Sequence, residues 1–200
     1  NIFYPSCIYP FNNVTKYNYR PSDRLIFEFE KKMISLLSKL NKRVIYKDYP
    51  MRSYIDSNTL IGYAKSLKNI KVIDKKFDFR FVSSVGDIFI LGHIGGMSTV
   101  SWMLGENKPI IYLHTNKSRF LNEKAKIIID KMFIVIDIDQ ENWTDDLSLL
   151  LNKPYKELVN LWKEKKIYRD QFDNEWLMGT NLHAGKLASK YIERFILDNN

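Results

Sequence analysis

The chain has 200 residues, 45% of them hydrophobic, with a formal net charge of +8. That length fits one large domain, or one domain with an added helical lobe, and the apolar fraction excludes a disordered chain. A lone cysteine, Cys7, excludes an internal disulfide, no apolar run approaches the roughly 20 residues that cross a bilayer, and no signal-peptide pattern is visible, so a cytoplasmic protein is expected.

Ile2 to Tyr9 reads as a first strand and Pro10 to Pro21 as a Pro/Asn/Tyr-rich loop. Because the chain moves from Asn1 directly into a strand, it is expected to be a piece of a longer protein. Ser22 or Asp23 can cap a helix with Ile26, Phe29, Met33, Leu36, Leu37 and Leu40 on one face. Arg43 to Tyr46 is the next strand, which Pro50 sends into a loop. A helix over Thr59 to Leu67, a strand over Lys71 to Ile73, a helical stretch over Phe77 to Val85 and a strand over Asp87 to Leu91 follow. Ile110 to Leu113 is a further strand, trailed by a polar loop over His114 to Ser118 and a helix over Phe120 to Lys131. Phe133 to Ile136 is the last strand. Helices follow over Trp143 to Leu151 with Thr144 as cap, from Pro154 through Lys166, and over Thr180 to Leu197. Strands alternating with helices predict an α/β, Rossmann-like open parallel sheet with helices on both faces. Residues 1–200 read as a single such domain, with 154–200 a helical tail packing on it.

Residues 86–113 carry the most information. An apolar strand leads into the turn Gly95-Gly96-Met97-Ser98-Thr99, which opens a helix and returns to a second apolar strand. Unpaired N–H groups at such a helix start, with glycines allowing close backbone approach, suit a phosphate. Ser98 and Thr99 can donate to a diphosphate or cap their own helix, and one geometry serves both. His93 stands at a strand's carboxyl end, where open α/β sheets bind ligands, and is a phosphate contact or a structural histidine. Lys47 and Arg52 flank the strand end near Pro50, where a cation would neutralise a leaving diphosphate unless it is simply solvated. His114, Lys117 and Arg119 lie on the same rim, while His183 reads as a surface or packing residue. Asp137-Ile-Asp139 is the only Asp-x-Asp spacing and reads as a loop cap rather than a metal site, so no metal is expected. No nucleophile with its own base is apparent.

The basic residues are scattered through Lys42 to Lys47, Lys65 to Lys76 and Lys163 to Arg169. They read as a solvated lysine-rich surface that favours acidic partners such as nucleotide phosphates or an anionic membrane. Nucleic acid ranks last, because no recognised nucleic-acid motif accompanies the charge.

The run Gly-x-x-Ser-Thr-x-x-x-x-Leu-x-x-x-Lys-Pro-Ile-Ile, from Gly95 to Ile111, resembles the C-terminal, donor-binding half of a GT-B glycosyltransferase. More narrowly, the chain resembles the bacterial surface-carbohydrate, capsule and CDP-glycerol-type polymer enzymes. Arg43-Val-Ile-Tyr-Lys-Asp-Tyr-Pro50, and Leu161-Trp162 and Gln171-Phe172, which resemble an aromatic tail before the last helix, agree with that group. The resemblance implies a donor-nucleotide-binding domain of a transferase making a bacterial surface polysaccharide. Its donor would be a nucleotide-activated sugar or a CDP-glycerol-type molecule, with no separate cofactor. Gly95, Gly96, Ser98, Thr99, His93 and Lys47 would hold the donor phosphates, and Arg52, His114 and Trp102 would be rim contacts. The catalytic base would come from an N-terminal domain outside this chain, and the fragment alone would be inactive. One departure stands out. Related enzymes place a ribose-binding glutamate seven residues before the motif's proline; Trp102 occupies that place, and Glu106 lies three residues before Pro109. A tryptophan there could stack on a base or sugar, but packing the helix against the sheet is the expected role. The loss favours an alternative, a non-catalytic nucleotide-sugar-binding or scaffold domain. A UDP-sugar epimerase shares the fold, but its catalytic carboxylates and histidines cannot be placed here.

Overall fold

The computed structural model describes residues 1–6, 23–48, 58–74, 76–92, 97–115, 123–177, 189 and 192–196. Six parallel strands form one sheet: β1 (Ile2–Pro5), β2 (Val44–Lys47), β3 (Ile70–Ile73), β4 (Ile88–Leu91), β5 (Ile110–His114) and β6 (Ile134–Asp137), in the spatial order β3-β2-β1-β4-β5-β6. The fold is α/β and Rossmann-like. β2, β4 and β5 are buried at every position, as strands covered on both faces must be, whereas the edge strands β3 and β6 are buried only in part.

Among the described residues seven α-helices lie on the sheet: α1 (Asp23–Ser38), α2 (Asn58–Ser66), α3 (Met97–Gly105), α4 (Glu123–Met132), α5 (Trp143–Asn152), α6 (Tyr155–Glu164) and α7 (Lys166–Phe172). On one face Ile26, Met33 and Leu37 of α1, Leu60 of α2 and Leu147 of α5 close over Ile2, Tyr4, Val44 and Ile111. On the other, Val100 and Met103 of α3 and Ile128, Ile129 and Met132 of α4 close over Phe3, Phe89 and Tyr112. The alternation of strand side chains between faces assigns each its layer. Trp162 of α6 and Phe172 of α7 reach into the second layer, so the late helices share the sheet's core.

Some element boundaries differ from those the sequence predicts. β1 ends at Pro5, and the rest of its predicted span, with the loop to Pro21, lies outside the described residues. Phe77 to Val85 is two three-residue 3-10 turns, Phe79–Phe81 and Ser83–Val85, rather than one helix. Asp78 starts the first by accepting from the Arg80 backbone N–H at 2.9 Å, and that local bond competes with a longer helix. Asn142, not Thr144, occupies the cap position of α5, and its side chain makes no capping bond. The helix expected through Lys166 breaks at Lys165 (φ −88°, ψ 4°), whose N–H turns to the Trp162 carbonyl at 3.3 Å. Of the helix expected over Thr180 to Leu197, Ser189 and residues 192–196 are described, and they are helical.

The break at Lys165 is held by Arg169. Its guanidinium carbon lies 3.5 Å from the Trp162 ring centroid and its Nη1 donates to the Trp162 carbonyl at 2.6 Å. Burial pushes the guanidinium down to about 10, so it stays charged at neutral pH.

Candidate functional site

The strand order places a topological switch point between β1 and β4. Connections leave β1 toward β2 and return from β3 to β4 on the far side, so their loops diverge at the carboxyl ends. Ser6 follows β1 there, Gly92 follows β4, and α3 begins at Met97. Ser6 is buried, its N–H donates to the Lys47 carbonyl at 2.9 Å, and its Oγ has no hydrogen-bond partner among the described residues. A buried hydroxyl without a partner loses its hydration for no return, which marks the crevice as a place that can accept a polar ligand. The sequence reading missed Ser6; the available signal was a serine immediately after a buried strand.

The predicted site residues separate into three groups. Thr99, half-buried, and Ser98, by its backbone, lie on the first turn of α3 and therefore at the switch point. Gly95, Gly96, His93, Arg52, Lys117, Arg119 and His183 lie outside the described residues. Lys47, Trp102 and His114 are described, and each has a definite structural partner.

Lys47 ends β2, is only 3% exposed, and donates from Nζ to the carbonyls of Asp48 at 2.5 Å and Asp74 at 3.2 Å. It ties the carboxyl ends of β2 and β3 together and sets a positive charge beneath the rim. His114 ends β5 with Nδ1 3.3 Å from Asp130 Oδ1 of α4, within ion-pair range but without hydrogen-bond alignment. Next to it on the same strand face, Tyr112 is pushed up to about 12 by burial and by the Asp130 charge.

Trp102 does not pack α3 on the sheet. It is 50% exposed, with the Arg80 guanidinium carbon 5.6 Å from its ring centroid. Asp78 fixes that guanidinium through bonds to Nε at 3.0 Å and Nη2 at 2.7 Å, and these hold the Asp78 carboxyl down to about 2. Helical phase explains the exposure: Val100 and Met103 take the inward face, and Trp102 falls on the outer one. Glu106 follows the end of α3, at the amino edge of the sheet. It accepts from Ser83 Oγ at 2.5 Å and pairs with Lys108 at 3.6 Å. It therefore stands at the rim opposite the switch point.

At the far end of the carboxyl rim, Asp137 accepts from the Asp139 N–H at 3.0 Å and from Gln140 Nε2 at 3.2 Å, while Asp139 accepts from Thr115 Oγ1 at 2.8 Å. This is the turn cap expected of that spacing. Among the described residues no group of three or more His, Cys, Asp or Glu is placed to hold a metal ion, and no helix is long and apolar enough to cross a membrane.

No family model and no curated protein matches this sequence. A solved structure, that of the glycotransferase of kitacinnamycin, is similar to 84% of this chain at TM-score 0.48 and 15% identity. The chain spans 40% of the length of that protein.

Proposed function

We propose that this chain is the donor-nucleotide-binding domain of a transferase that builds a bacterial surface polysaccharide, using a nucleotide-activated sugar or a CDP-glycerol-type donor. The observation that carries the reading is the switch point between β1 and β4, where the Ser6 hydroxyl is buried with no partner among the described residues. Backbone N–H groups of that first turn, with Ser98 and Thr99, would bind the donor diphosphate and stabilise the charge that develops on it as it leaves. Gly95 and Gly96 would let the backbone approach, and His93 and Arg52 would add contacts to the phosphates. Lys47 contributes a buried positive charge while fixing two strand ends, and His114 is a rim residue within ion-pair range of Asp130. Displacement by an acceptor hydroxyl would occur at the anomeric carbon, with the nucleoside diphosphate leaving, or at the glycerol-bearing phosphorus of a CDP-glycerol donor, with CMP leaving. The acceptor and its base would come from a second domain of the same protein, working in the cytoplasm beside an anionic membrane.

Calorimetric titration with CMP, CDP, UDP, GDP and CDP-glycerol tests this. Saturable binding of one of them, weakened by Ser98→Ala/Thr99→Ala, is the expected result and names the donor class. If none binds, with or without the remainder of the protein, the reading is wrong. A second reading, a scaffold domain that kept the fold, is favoured by Trp102 in the place of a ribose-binding carboxylate and by the engagement of Glu106 at the opposite rim.

A further inference from the structure

We infer that the amino rim of the sheet holds a second anion site, a cleft for a multiply charged phosphate group, on the edge opposite the switch point. The cleft measures about 470 Å3, and Lys42, Arg43, Lys68 and Lys71 line it. Lys39 and Lys65 lie close to these residues in sequence, and residues 31–47 and 59–73 contain no Asp or Glu. Arg43, Lys68 and Lys71 are exposed and make no ion pair among the described residues.

The cleft floor is fixed. Asn69 Nδ2 lies within 3.0–3.1 Å of the carbonyls of Leu37, Leu40 and Lys42, which joins the end of α1 to the approach of β3. Lys42 Nζ in turn bonds the carbonyls of Leu151 and Lys153 at the end of α5. The nearby carboxylate of Glu157 is engaged by Lys153 at 3.0 Å.

Two ordinary roles for these cations do not account for the set. Charge at helix C-termini explains Lys65, in the last turn of α2, Lys39, just past α1, and Lys42, on the carbonyls at the end of α5, but not Arg43 or Lys71. Guarding an exposed edge strand explains Lys71 on β3 alone. Like charges gathered around one concavity repel each other until an anion enters, and Lys and Arg together suit phosphate oxygens. No aromatic side chain lines the cleft, so the base stacking that accompanies single-stranded nucleic acid has no platform there. The phosphate can belong to a lipid headgroup or to a free polyphosphate.

The test compares the protein with Arg43→Gln/Lys68→Gln/Lys71→Gln and with a charge-matched control, Lys124→Gln/Lys156→Gln/Lys163→Gln. Each is titrated with sodium triphosphate, with phosphatidylcholine vesicles with and without phosphatidylglycerol, and with oligo-dT, after its thermal midpoint has been checked. Binding of triphosphate that falls about tenfold or more in the cleft variant alone assigns a free-phosphate site. Loss of binding to phosphatidylglycerol vesicles in that variant alone assigns a lipid headgroup. The inference is overturned if neither probe binds, if both variants weaken binding equally, or if oligo-dT is the tightest ligand lost. Ser98→Ala/Thr99→Ala should leave triphosphate binding at this rim unchanged, which separates this result from failure of the donor site.

Discussion

Tyr4 on β1 and Tyr46 on β2 are register partners on adjacent parallel strands, and they donate to the two oxygens of one carboxylate, Glu30, at 2.8 Å each. Glu30 is fully buried on α1, so this three-residue contact fastens the helix to the centre of the sheet. A buried carboxylate is tolerable only while its oxygens are bonded. Tyr46→Phe should therefore lower unfolding stability by about 1–3 kcal/mol, measured by urea denaturation. A change under about 0.5 kcal/mol would show that the bond contributes little.

Ser6 gives the opposite sign. Its buried hydroxyl has no partner among the described residues, so Ser6→Ala should leave stability unchanged or raise it by about 1 kcal/mol. The same substitution should weaken nucleotide binding. Unchanged affinity would remove Ser6 from the site.

Gly86 is required by space rather than by dihedral angle. Its φ is −82°, open to any residue, but a Cβ there would lie 2.6 Å from Phe3 Cβ and 3.1 Å from Phe89 Cε1. The Phe3 Cβ is fixed to the backbone of the central strand and cannot swing aside. Gly86→Ala should cost about 1–3 kcal/mol in a thermal melt, and Gly86→Ala/Phe3→Ala should not recover it because Cβ remains.

Alkaline pH should reveal Tyr112. Its phenol ionises near 12 in the native state against an ordinary value of 10.0, because it is buried beside Asp130. Below pH 10 both states hold the proton and stability is level. Between about 10 and 12 the unfolded chain releases it first, so stability falls with rising pH, by up to about 2–3 kcal/mol. Tyr112→Phe should flatten that part of the curve relative to the parent protein. Equal alkaline slopes would refute the assignment.

At the late helices, Arg169→Lys should not substitute for arginine, because an ammonium cannot stack on the Trp162 ring and reach its carbonyl in one geometry. A loss of about 1–3 kcal/mol is expected, with Arg169→Ala no worse than a little more. Full retention by lysine would mean that charge alone is used.

The fold was legible because its signals are local. Continuous apolar runs such as Ile88 to Leu91 and Ile110 to Leu113 read as strands buried on both faces, and the spacing of Ile26, Met33 and Leu37 read as one helical face. Alternation of these elements then determined a parallel sheet with helices on both sides. Of the turn read as a phosphate site, Ser98 and Thr99 fall on the first turn of α3, where the sequence placed a helix start. Three things were decided by tertiary structure. Strand order fixed the switch point and so gave Ser6 its meaning. Helical phase turned Trp102 outward to Arg80, and the path of α3 carried Glu106 to the opposite rim. Packing brought Lys42, Arg43, Lys68 and Lys71 around one cleft, although they belong to two separate stretches of sequence. Periodicity records which face of an element is apolar, but it holds no information on what a distant element will place against the other face.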